Sequence, residues 1–308
     1  MGTCTCLLAT IVVIAAGLGL GLYFGYFTKQ DLQDLTGAFS DGFTNILGAD
    51  PFSGKSGGGI NGTVYEWVGT NGNGGLTLEL LNALDSSWQT FFEQAVSDWD
   101  SGTPDALTLT TTTSTPEYEC EQVEGVMKVC NGDYGDTGWR GINELILTSQ
   151  DKIVSSIAKM NEFYLTSTTS DIDKQYTMCH EIGHGFGLPH TDENFMNSPL
   201  GDCLDYSNSV TNNQKPGQVN YDKLVAAYGQ VSSRRQRRER QISDIAKAAG
   251  HIASTPAWVK NTLREKVQAF QVGIENEGWT LLHQHPFGEI HSIEIGEGYR
   301  GHVNILLA

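Results

Sequence analysis

Positive charge is what this chain has least of: 19 Lys+Arg face 36 Asp+Glu across 308 residues, a formal net charge of −17. The deficit sits in residues 28–232, with 9 basic and 28 acidic side chains, whereas residues 233–308 carry 10 and 8. So acidic a surface excludes nucleic acid and anionic lipid as partners of the main part, because both require phosphate neutralisation. It suits a soluble extracellular domain. Cysteine is sparse too, at six. Cys4 and Cys6 precede an apolar run, while Cys120, Cys130, Cys179 and Cys203 follow it. That even set fits two disulfides in an oxidising compartment. Residues 28–60 hold no cysteine, which excludes a thiolate from that segment as the silencer of a metal.

The apolar run, Leu7 to Phe27, contains no charge and is long enough to cross a hydrocarbon core as a helix. A cleaved signal peptide is the competing reading, given the N-terminal position. The run exceeds a signal core, lacks a basic flank and has no A-x-A exit, which favours an uncleaved signal anchor. Residues 1–6 are then a short cytosolic tail in which Cys4 and Cys6 could be palmitoylated. Met1-Gly2 is a poor myristoylation start, since position six is Cys. The sequon Asn61-Gly62-Thr63 offers a glycosylation acceptor at Asn61. Together these features predict a membrane-anchored protein with an extracellular or luminal main domain, secreted if the N-terminal segment is cleaved.

Residues 28–60 are rich in Gly, Asp and Ser and read as a stalk, or as a short propeptide. From residue 61 the pattern is globular. Apolar positions from Leu81 to Trp99 fall near helical spacing, and Pro104 follows them. Ala106–Thr113 is β-branched and alternating, as are Ile142–Leu147 and Ile153–Met160, which predicts three strands. Asn131 to Gly138 is a turn-rich acidic run that could bind calcium through carboxylate and carbonyl oxygens; plain Asp-Gly turns are the competing reading. Residues 220–229 predict a short helix capped by Gly229, where the 61–232 domain can close. Residues 233–240 form a basic linker containing Arg235-Gln236-Arg237-Arg238, which would suit a furin-like convertase or remain a solvated charge run. Residues 241–308 have helical character up to Gln271 and β character from Trp279, with no role that the sequence assigns. His283, His285, His291 and His302 in that tail have no metal-site spacing and read as surface or packing residues.

One stretch carries chemistry. His180-Glu181-Ile182-Gly183-His184-Gly185-Phe186-Gly187-Leu188-Pro189-His190 reads H-E-x-x-H-x-x-G-x-x-H. At this chain's composition those five fixed positions arise by chance in about 4 of 100,000 such chains. Positions i and i+4 share a helix face, so His180 and His184 can hold one ion together. Gly187 permits the positive φ that turns the chain out of the helix and returns His190 as a third ligand. Three imidazoles suit tetrahedral Zn2+ with the fourth position left for water, and Glu181 stands where it can take that water's proton.

This signature, with Cys130-Asn131-Gly132-Asp133-Tyr134-Gly135, Gly138-Trp139-Arg140-Gly141-Ile142, Lys159-Met160-Asn161 and Gly201-Asp202-Cys203-Leu204-Asp205-Tyr206, resembles the metzincin zinc endopeptidases. Within that clan it is most similar to the small matrixin-like secreted proteases of fungi, oomycetes and actinobacteria, over residues 61–229. The resemblance implies an α+β fold: a zincin domain with a twisted mixed sheet, an antiparallel edge strand, an active-site helix and a C-terminal helix, here behind the N-terminal transmembrane helix. It implies zinc on His180, His184 and His190, Glu181 as general base, and polypeptide substrate added along the edge strand. It also implies Cys179–Cys203 and Cys120–Cys130 pairings. The family places a methionine turn beneath the metal; the matching segment here has Leu204, similar in volume, followed by Tyr206, which could approach the metal or a developing oxyanion. The expected function is peptide-bond hydrolysis. The alternative is an inactive membrane-tethered domain serving adhesion or recognition.

Overall fold

Strand formation begins with residues that bury one face and pave the other. In β2 (Leu76–Ala83), Leu76, Leu78 and Leu80 are buried while Thr77 and Glu79 are half-exposed. The computed structural model describes residues 63–207, 209–231, 255–271, 278–285 and 288–308. All of these belong to the second of two units into which the chain divides, Gly59–Ala308. The Leu7–Phe27 run, the 28–60 stalk, Asn61 and the Arg234–Arg238 run lie outside the described residues.

The other elements are β1 (Glu66–Trp67), α1 (Gln89–Asp100), β3 (Leu107–Thr113), β4 (Val126–Gly132), β5 (Trp139–Thr148) and β6 (Lys152–Asn161). They are followed by α2 (Asp171–Gly185), α3 (Gln218–Tyr228), α4 (Ala257–Gln271), β7 (Trp279–His285), β8 (Gly288–Gly296) and β9 (Tyr299–Leu307). Eight strands run in the order β3-β2-β4-β6-β5-β9-β8-β7, and β1 pairs with β6 off that path. The β3-β2-β4-β6 half is parallel, whereas β5 to β7 pair antiparallel. β6 is buried at every position after Lys152, as expected of a strand covered on both faces.

Two cores flank the sheet. The larger gathers Leu78, Leu80, Trp88, Phe92 and Trp99 with the buried face of α2 and Leu224 of α3. The smaller joins Ile142 and Ile146 of β5 to Val259, Leu263 and Val267 of α4 and to Val303 and Ile305 of β9. The segment set apart by sequence as 241–308 thus contributes its strands to the same sheet as β5. The expected helix from Leu81 is displaced: β2 continues to Ala83 and α1 starts at Gln89, because the alternating leucines pair in register with β3 and β4.

The expected fold class is corrected. In place of a zincin domain with an antiparallel edge strand behind a transmembrane helix stands a nine-stranded mixed sheet with four described helices. β5, which pairs antiparallel with β6, lies inside the sheet between β6 and β9. β9 satisfies the row of N–H and C=O groups that an edge would leave unpaired. The membrane-anchored localisation is corrected as well. Among the described residues no helix is long and apolar enough to cross a membrane. The longest helices among the described residues have 15 residues, which at 1.5 Å per residue reach about 22 Å against a hydrocarbon core of about 30 Å.

Candidate metal centre

α2 starts at a defined cap: the Ser170 hydroxyl accepts from the Asp173 backbone N–H at 3.2 Å, and Asp171 and Asp173 stand in the first turn, where the helix dipole favours negative charge. Two indoles hold its buried turns. Trp99 Nε1 donates to Cys179 O at 3.2 Å and Trp67 Nε1 to Gly185 O at 3.0 Å. From β5, Asn143 Nδ2 donates to Glu181 O at 3.1 Å. The helix ends at Gly187, whose φ is +83°. A β-carbon there would lie 1.9 Å from Tyr65 O, so the turn that redirects His190 is open only to glycine.

The turn brings three rings together. His180, His184 and His190 are all buried, and their ligand nitrogens cluster. His184 Nε2 lies 3.0 Å from His180 Nε2 and 3.0 Å from His190 Nε2. Each Nδ1 faces an oxygen: Cys203 O at 2.7 Å for His180, Leu188 O at 2.8 Å for His184, and Glu193 Oε1 at 3.2 Å for His190. These acceptors assign the ring protons to Nδ1, so three Nε2 lone pairs point at one another. That arrangement is repulsive unless a cation stands between them. Nitrogens about 2.05 Å from a tetrahedral zinc lie about 3.3 Å apart, close to the spacing found. The trio can hold a metal ion.

Glu181 completes the centre. Its side chain is fully buried, and neither carboxylate oxygen has a hydrogen-bond partner among the described residues. Gly141 of β5 makes room for it: a β-carbon there would stand 2.4 Å from Glu181 Oε1. Burial pushes the Glu181 carboxyl well above its ordinary range, against the opposing pull of Arg140. Burial likewise holds His180 well below the usual imidazole range, with His184 and His190 adding to the effect, and lowers His184 to about 4. The rings are therefore kept neutral and ready to coordinate, and a bound cation is the natural counter-charge for the orphaned carboxylate.

The floor is built by the segment after His190. Cys179 pairs with Cys203, and Cys120 with Cys130. Cys179 is thereby a staple and not a thiolate ligand. Leu204 is fully buried and packs against α2 at Gly183. Tyr206 sets its ring edge-on to His190, with centroids 4.3 Å apart, and its hydroxyl donates to Ile305 O at 3.3 Å. The 131–138 run is organised differently from a calcium cage: Asn161 Nδ2 donates to Gly135 O, Thr137 Oγ1 and Trp139 O. Among the described residues, only the histidine trio brings three His, Cys, Asp or Glu groups within ligand distance of one another.

Sequence reasoning passed over Asn143, Trp67 and Trp99, which steady the helix from remote positions, and Glu193, which orients His190. Glu193 sits three residues beyond His190, a spacing that could have marked it. His283 of β7 also reaches Glu193, with Nε2 2.5 Å from Oε2.

Fold and site together define a disulfide-bonded, mixed-sheet protein with a three-histidine cluster that could hold a metal ion. No protein-family model matches the chain, and no curated protein matches it.

Proposed function

We propose that the centre binds zinc and hydrolyses peptide bonds. The observation that carries this reading is the pairing of three converging imidazole lone pairs with a buried, unpartnered carboxylate on the residue after His180 in the same helix. Neutral nitrogen donors in a set of three suit zinc with one position left open. The local resemblance of residues 61–229 to the metzincin endopeptidases points to the same chemistry.

Bound zinc supplies a Lewis acid that acidifies water and polarises a carbonyl. Glu181 accepts the water proton as the oxygen–carbon bond forms, then returns it to the amine nitrogen as the carbon–nitrogen bond breaks. The Nδ1 contacts to Cys203 O, Leu188 O and Glu193 hold the three rings in a fixed orientation. The Tyr206 ring meets His190 edge-on and its hydroxyl donates to the Ile305 carbonyl oxygen, the kind of donor required where negative charge develops on a carbonyl oxygen.

The test is metal content and peptide hydrolysis on the same preparations. Glu181→Ala is expected to keep its zinc and to lose activity by about 10²–10⁴-fold; undiminished hydrolysis by that variant sinks the assignment of the base. A second reading, a non-hydrolytic recognition domain with a structural metal, draws on β9 covering β5. Zinc bound at one per chain with no hydrolysis in any variant favours it.

A further inference from the structure

β5 runs directly past the metal centre. Its Gly141 lies against the Glu181 carboxylate, and its Asn143 side chain bonds the Glu181 carbonyl. An extended peptide entering the centre would add to this strand, exchanging main-chain hydrogen bonds with it. That place is taken by the protein's own β9. β9 pairs antiparallel along β5, with Ile142 opposite Ile305 and Gly141 opposite Leu306. The Ile305 carbonyl accepts a hydrogen bond from the Tyr206 hydroxyl while the Tyr206 ring meets His190 edge-on.

The side chains of β9 are divided as those of a bound strand would be. Leu306, 1 % exposed, enters the larger core with Cys179 and Ile182 of α2, whereas Val303 and Ile305 face α4 in the smaller one. His302 and Asn304 line a recess shared with His184 and Leu188. β7 adds a second hold, because His283 and His190 meet the two oxygens of Glu193.

The geometry points to β9 as a built-in pseudosubstrate that occludes the centre, presenting the Ile305 carbonyl at the position of a scissile carbonyl and Leu306 as the residue after it. The inference rests on the peptidase reading and adds its regulation. A substrate would replace the β9–β5 hydrogen bonds one for one. The side chains of the two competing strands therefore decide the balance, and apparent affinity for substrate falls by the fraction of molecules with β9 displaced.

The experiment uses the full chain loaded with zinc, comparing wild type with Leu306→Asp on a quenched, unstructured peptide mixture. Burying a carboxylate in the larger core disfavours docked β9, so kcat/KM is expected to rise about tenfold or more. A synthetic peptide of residues 299–308 should then inhibit the variant competitively. Adding Glu181→Ala to that background should abolish the gain. Equal kcat/KM in the two chains, lost on Glu181→Ala, overturns occlusion and leaves the peptidase reading standing. No hydrolysis by either chain with zinc bound overturns the peptidase reading and the inference with it.

A second measurement on wild type covers the case in which Leu306→Asp fails to fold. Binding of a hydroxamate-bearing peptide should speed hydrogen exchange at residues 299–307 by about tenfold or more while β2 and β4 keep their protection. Unchanged protection of β9 with the probe bound overturns the proposal.

Discussion

At the scale of single residues, the centre depends on atoms that have no alternative placement. Gly187 combines a φ of +83° with a β-carbon position 1.9 Å from Tyr65 O. Gly187→Ala is therefore expected to cost about 1–3 kcal/mol or more and to weaken metal binding, read by thermal unfolding and zinc content. Leu204 is the opposite case. It is a fully buried aliphatic group under α2, and methionine has nearly its volume. Leu204→Met should change stability by less than about 1.5 kcal/mol and leave zinc content unaltered. The clustering of His180, His184 and His190 was legible in the sequence because their spacing lies within one helix and one turn. Asn143 and His283 were not, since nothing local marks a side chain whose partner is elsewhere in the chain.

At the scale of elements, α2 matters most, and remote anchors hold it. Trp99, 1 % exposed, donates to Cys179 O and stacks edge-on against Phe186 at 5.3 Å. Trp99→Ala should cost about 3–5 kcal/mol, measured by chemical denaturation. The Cys179–Cys203 bridge closes a separation of 24 residues and fixes the carbonyl that orients His180. Replacing both cysteines by serine should remove about 3–4 kcal/mol on the chain-entropy argument and lower zinc affinity together with it. The strands at Ile142–Leu147, Ile153–Met160 and Ala106–Thr113 were readable from β-branched alternation. The boundary between β2 and α1 was not, because Leu81 and Leu84 satisfy both a helical and a strand pattern until neighbouring strands claim them.

At the scale of the whole molecule, metal binding by the trio is expected to be coupled to folding. The Nε2 lone pair of His184, 3.0 Å from those of both His180 and His190, and the buried, unpartnered Glu181 carboxylate are expected to destabilise the folded chain until a cation binds the trio. Chelation should lower the unfolding temperature, and zinc at about 100-fold over its Kd should restore about 2.7 kcal/mol. A chain whose unfolding temperature does not respond to chelator or zinc would show that the trio binds no metal under those conditions. The acidic balance of residues 28–232, by contrast, bears on solubility and partners and says nothing of how the strands pair.

The local sequence is enough to gather His180, His184 and His190. Positions i and i+4 share a helix face wherever that helix lies, and a glycine turn returns a third histidine within six residues of His184. Tertiary structure alone decided what stands over the centre. Pairing Gly141 with Leu306, or Tyr206 with the Ile305 carbonyl, joins residues far apart in the chain. Such contacts carry no local signature, because any apolar alternating strand could in principle cover β5. The choice of β9 came from burying Val303 and Ile305 on one face and Leu306 on the other at once.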